Sequence, residues 1–148
     1  MVFRLFLVIF TSIFFTSMPV SYAGSSDKLG ILLNKVRLDN AQQAVKKSEI
    51  LTLVAQKHAD DMARNNYFSH IGQNGSSPHQ RVTEENYAAC YSAENIAKGQ
   101  KKPSTVMEDW MNSEGHRANN LSTRAKEYGI GKSGRIWVLV LATKCSRP

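Results

Sequence analysis

Four side chains in this 148-residue sequence could do chemistry together: His70, Glu94, Glu108 and His116. Each falls in or beside a loop or an element end, where side chains can converge on a cleft. Two imidazoles with two carboxylates suit a divalent metal such as zinc, with His70 and His116 as nitrogen ligands and a carboxylate ligating or orienting them. An open position on such a metal would activate water, and a carboxylate would then serve as the general base of a hydrolase. The same groups can also form a hydrogen-bond network that orders the surrounding loops without turnover. Spacing alone does not choose among these, and no HExxH, GxSxG or GxxxxGK[ST] motif is present to decide it.

Other polar and aromatic residues read as structural. His58 lies on the apolar face of a helical pattern and is expected in the core with one nitrogen satisfied, while His79 follows Pro78 in a loop and is expected to be exposed. Trp110 and Met111 share helical spacing with Val106 and Met107, and Trp137 sits inside a strand pattern; all read as packing. Arg37, Arg81 and Arg117 read as partners of carboxylates or carbonyls at element junctions rather than as anion sites. Cys90 and Cys145 lie in no CxxC pair and beside no His at metal-ligand spacing, which argues against redox or zinc-cysteine roles. In an oxidising compartment they are expected to form one disulfide. Its 55-residue span would destabilise the unfolded chain by about 4 kcal/mol.

The elements that must position the four candidates follow from periodicity. Leu29, Leu32, Leu33 and Val36 predict a helix over 27–39. Ser48 should cap a second, whose face is Ile50, Leu51, Val54, Ala55, His58, Ala59 and Met62, ending near Asn65 and Asn66. Residues 68–78 read as loop, followed by a short helix opened by Pro78 and ending near Glu85. Tyr87 to Ile96 reads as extended, and Pro103 and Ser104 as the start of a helix closed near Gly115. Ile136 to Ala142 is a continuous apolar run, the pattern of a strand covered on both faces, and Gly129, Gly131 and Gly134 suggest a short preceding strand and a turn. Helices around a sheet needing cover on two sides imply an α/β (α+β) fold, a three-layer α-β-α sandwich with a small antiparallel central sheet.

The chain starts with an address. Arg4, the apolar stretch Leu5 to Phe15 and the small residues Ser21-Tyr22-Ala23 read as a signal peptide over 1–23, leaving one domain over 24–148. The apolar core is too short to span a bilayer, which takes roughly 20 apolar residues, so the cleaved protein is expected to be exported, secreted or periplasmic, and not membrane-spanning. Cleavage removes one arginine and no acid, lowering the formal net charge of +7 by one. A basic surface could meet anionic lipid or cell-wall polymer; export argues against nucleic acid as a partner, and most lysines read as solubilising.

Five motifs occur in an order that identifies a family: Leu33-Asn34-xx-Arg37; Ala55-xx-His58-Ala59-x-Asp61-Met62-Ala63-xx-Asn66-Tyr67-Phe68-Ser69-His70; Gly75-xx-Pro78-xx-Arg81; Glu94-Asn95-Ile96-Ala97-x-Gly99; and Trp110-Met111-Asn112-Ser113-x-Gly115-His116-Arg117-x-Asn119. Together they resemble the bacterial branch of the CAP superfamily, that of sperm-coating proteins, plant pathogenesis-related proteins of the first class and insect venom allergens. The resemblance implies the α-β-α sandwich reached above and a central cleft of two His and two Glu, matched here by His70, Glu94, Glu108 and His116. It implies a monomeric binding or interaction module for lipid, cell-wall polysaccharide or protein, with a metal in some members and no common enzymatic activity. Three positions depart from the pattern: Ala93 and Asn86 where Gly is usual, and Asn120 where an aliphatic residue is usual.

Overall fold

The apolar run near the end of the sequence becomes the middle of the sheet. The structure, a computed structural model, describes residues 24–145; the expected signal peptide at 1–23 lies outside them. In chain order the elements are α1 (Ser25–Asp39), β1 (Lys46–Lys47), α2 (Glu49–Arg64), α3 (Pro78–Glu84), β2 (Ala89–Lys98), α4 (Pro103–Asn112), α5 (Glu114–Asn120), β3 (Glu127–Ser133) and β4 (Ile136–Lys144). The strands lie in the order β1-β3-β4-β2. β4 pairs antiparallel with β2 and β3, and the expected antiparallel sheet is extended by a two-residue parallel edge, β1 on β3.

Alternation along β4 divides the core. Trp137, Leu139 and Leu141 face a layer containing Leu29 and Leu33 of α1 and Val106, Met107 and Trp110 of α4. Ile136, Val138, Val140 and Ala142 face Leu51, Val54, Ala55, Ala59 and Met62 of α2 and Val82 of α3. A strand buried on both faces needs no polar positions, which is why its sequence lacks them. The three layers are therefore α1 and α4, the sheet, and α2 with α3.

The expected short strand and turn before β4 are found, and two other local readings are corrected. Gly129 and Gly131 lie inside β3: a Cβ on Gly129 would stand 2.0 Å from the Leu51 carbonyl carbon, and one on Gly131 2.3 Å from that of Ala55. Only bare backbone lets α2 lie this close to the sheet. Gly134, at φ +58°, makes the turn into β4. Gly115 does not close α4, which ends at Asn112; it belongs to α5, whose polar sequence carries no apolar period. His79 lies on α3 and not in a loop; it is exposed, and its Nδ1 lies 3.0 Å from Ser92 Oγ.

Cys90 and Cys145 are joined, with their Cα atoms 4.8 Å apart. The link ties the start of β2, at an irregularity between Ala89 and Tyr91, to the residue just after β4. Asn34 of α1 secures the approach to β1, donating from Nδ2 to Val45 O and accepting from Val45 N.

Candidate functional site

The site is built from the loop between α2 and α3, the middle of β2 and α5. Asn66 at φ +53° turns the chain out of α2, and Gly75 at φ +81° turns it back toward α3. Ser77 then caps α3 in a reciprocal pair: its hydroxyl accepts from Gln80 N, and the Gln80 side chain accepts from Ser77 N. This fixes the direction of α3 and so aims Arg81 beneath the loop.

Arg81 holds three parts of the site at once. Its Nη1 donates to Ser76 O at 2.8 Å, and its Nη2 donates to His70 O at 3.0 Å and to Glu94 Oε2 at 2.8 Å. Glu94 projects from β2 with a side chain 1% exposed, and its other oxygen, Oε1, lies 2.8 Å from His70 Nδ1. Both carboxylate oxygens are thus engaged. The His70 ring is 47% exposed, leaving Nε2 as its open nitrogen. Behind it, His58 of α2 is buried; its Nε2 donates to Ser69 O at 3.0 Å and lies 3.8 Å from Glu94 Oε1. The reading of His58 as a core residue with one nitrogen satisfied holds: Nδ1 has no partner. Burial pushes its pKa down, against an opposing pull from Glu94, so the ring is neutral at pH 7.

A net of side-chain amides places His116. Asn95 Nδ2 donates to His116 O at 3.0 Å and to Asn120 Oδ1 at 2.9 Å, while Asn119 Nδ2 donates to Asn95 Oδ1 at 2.9 Å and to Glu94 O at 3.3 Å. These bonds fasten α5 to β2. The His116 ring lines a recess of about 310 Å³ with Phe68, Ile96 and Trp110. Burial lowers its pKa, and the proximity of His70 lowers it further.

Three of the four candidates are therefore neighbours: His70 and Glu94 in direct contact, and His116 within electrostatic reach of His70. Glu108 stands apart on α4, exposed and with no hydrogen bond or ion pair to the others. Among the described residues, no three His, Cys, Asp or Glu side chains converge as a metal site would require. Sequence reasoning anticipated a carboxylate or carbonyl partner for Arg81 without identifying Glu94. It missed the Asn95, Asn119 and Asn120 net, whose members Asn95 and Asn119 lie in two of the recognised motifs.

The departures from the family pattern also find places. Asn86 stands at φ +60°, a left-handed conformation that Asn tolerates better than most residues. Asn120 is fully buried, a member of the amide net, with Nδ2 facing the sulfurs of Met107 and Met111 at 3.7 Å. Ala93 is half-buried in β2 opposite Leu141.

Residues 31–135 match the CAP domain, described as the Cysteine-rich secretory protein family. The chain belongs to this family. Uncharacterized protein YkwD of Bacillus subtilis (strain 168) is 36% identical over 124 residues, covering 82% of this chain and 48% of that protein. An extracellular protein containing a SCP domain from Bacillus anthracis str. Ames superposes with a TM-score of 0.79 at 26% identity, over 81% of this chain and 40% of the other. An outer surface protein from Borrelia burgdorferi superposes at 0.74 and 20% identity, over 80% of this chain and 91% of the other, a likeness of fold. The chain thus spans about half the length of the curated relative YkwD and less than a third of another. Among the described residues, no helix is long and apolar enough to cross a membrane.

Proposed function

We propose that this CAP protein is exported, with residues 1–23 removed, and acts as a binding or interaction module whose recognition surface surrounds His70 and His116. The observation that carries this reading is the state of Glu94. It is buried, and both its oxygens are occupied, one by His70 and the other by Arg81. A general base must reach the attacking water, and the Glu94 side chain is only 1% exposed. Glu94 instead fixes the loop and the ring it carries, leaving His70 and its chain neighbours Phe68 and Ile71 exposed. Exposed apolar side chains beside an open imidazole suit lipid, cell-wall polysaccharide or protein partners.

The donor set also bears on zinc. His70 Nε2 and the His116 ring are two nitrogen donors, and the His70–Glu94 contact is the kind that orients a ligating imidazole. Structural zinc takes four protein ligands and catalytic zinc three. With Glu94 committed and Glu108 outside, two imidazoles fall short of either, and the cleft would hold zinc only weakly. The test is calorimetric titration of zinc into metal-stripped protein, beside a His70→Ala, His116→Ala variant. The expected result is no tight one-site binding in either. Tight one-site binding lost in the variant would overturn this reading in favour of a metal centre and reopen the hydrolase.

A further inference from the structure

At the β1 edge of the sheet two adjoining recesses, of about 260 and 430 Å³, share Gln43 and Lys126 in their walls. Neither shares a lining residue with the His116 recess. Arg37 of α1 lines the first. Its Nε donates to Gln43 O and its Nη1 to Asn120 O and Ser122 O, while its own carbonyl accepts from Gln42 N. The loop after α1 is thus wound on this side chain, with Ala41 at φ +57°. Arg37 is 1% exposed and, among the described residues, has no carboxylate partner. Buried charges are ordinarily paired, and this one is met by carbonyl dipoles alone. Salt screens a buried charge far less than an exposed one, so its field persists in the recess it lines.

The second recess adds exposed lysines from separate segments: Lys46 of β1, Lys126 just before β3 and Lys144 at the end of β4. Their backbones are fixed. Lys46 N donates to Lys126 O, Lys126 N donates to Ala142 O, and Lys144 precedes the disulfide-bonded Cys145. Elsewhere Lys35, Lys47 and Lys57 are each paired with an acid. Here the lining holds a single acid, Glu127, and its Oε2 accepts from the Tyr87 hydroxyl. Lys144 Nζ stands over the Tyr87 ring, and the Lys46 and Lys126 side chains have no partner among the described residues. A concave surface lined mainly by one sign of charge focuses its field and concentrates counter-ions.

The lining narrows the class of anion. The accessible cations are lysines, point charges that suit phosphate, whereas planar carboxylates favour the fork of an arginine. Among the described residues, no aromatic side chain lines either recess, so a base or sugar ring has no platform to stack on. No large apolar side chain lines them either, as a face that enters a bilayer would require. We propose that the two recesses form one anion-binding groove, separate from the His70 and His116 site, for a flexible polyanion with phosphodiesters along a ring-free polyol chain. Lys46, Lys126 and Lys144 meet the phosphates, and Arg37 adds its field from within the wall.

The test is calorimetric titration of the protein with poly(glycerol phosphate) over a range of salt, beside two triple variants that remove equal charge. Lys46→Gln, Lys126→Gln, Lys144→Gln should weaken binding at least about tenfold and flatten the slope of log affinity on log salt by about 2. Lys98→Gln, Lys101→Gln, Lys102→Gln, which changes exposed lysines elsewhere, should weaken it less than about twofold. The His70→Ala, His116→Ala variant should bind the polymer like the parent, so this proposal and the reading of that site fail independently. No binding at low salt, or equal weakening in both triple variants, would overturn the groove. Equal or tighter binding of oligothymidylate would overturn the preference for a ring-free chain. Tighter binding of phosphatidylglycerol vesicles through the same three lysines would make the surface a membrane face and overturn the proposal.

Discussion

Glu94 and Arg81 show how a buried charge pair can determine the position of a loop. Removing one member strands the other, a loss of about 3–5 kcal/mol for a pair this well buried. Glu94→Gln and Arg81→Met should each lower the melting temperature sharply, and the double variant should cost less than the two added together. Additive losses in a double-mutant cycle would show that the two side chains do not act as one unit. Asn120 offers a second case. Its Nδ2 faces only thioether sulfurs, which are weak acceptors, but its Oδ1 accepts from Asn95, so Asn120→Leu strands a buried donor and should cost about 1–3 kcal/mol. Asn120→Asp would bury a carboxylate against Met107 and Met111 and should cost more by chemical denaturation. At this scale the sequence was informative about residue types and poor about partners. His70, Glu94 and His116 could be singled out because loops and motif order mark them. That Arg81 is shared between Glu94, Ser76 and His70 depends on where α3 points, which a capping box fixes and no periodicity reports.

Elements were legible in proportion to their apolar content. β4 has seven buried residues in succession and could be read as a central strand directly. α5 has one buried residue in seven, Asn120, and β1 has two exposed lysines, so neither gives a hydrophobic signal. Both are held by polar contacts instead. The glycines around Ile130 marked a short strand and its turn correctly, but no periodicity reports that Gly129 and Gly131 also serve the helix packed on them. Gly131→Ala should therefore force α2 away from the sheet and cost at least the upper end of the about 1–3 kcal/mol usual for overpacking. Gly134→Ala meets no atom and should cost less, through its positive φ alone. Equal losses at the two positions would contradict the close-approach account.

For the molecule as a whole, stability should depend on pH through His58. Burial pushes its pKa below the ordinary 6.5, so beneath that pH the unfolded chain binds more protons than the folded one. Stability from this group is complete above pH 6.5 and declines as pH falls toward the lowered value, levelling off below it. His58→Gln keeps a donor for Ser69 and cannot titrate, so thermal melts on either side of pH 6.5 should show a shallower slope. Asp61 acts in a separate, more acid window. The Tyr67 hydroxyl bond lowers its pKa below 3.8, and the Tyr67 phenol is pushed up to about 12, first by burial and then by Asp61.

The strand order carries a consequence for how such a chain reaches its final form. Among the described residues, β2 pairs only with β4, and β3 has no other long partner, yet β4 follows both in the sequence. A polypeptide emerging from a ribosome or a translocation pore presents its amino end first. Until residue 136 emerges, the only pairing open among the described residues is the two-residue contact between β1 and β3. A chain ended at Arg135 should accordingly leave the β2 amides unprotected in hydrogen exchange. The sheet is thus closed by its latest arrival.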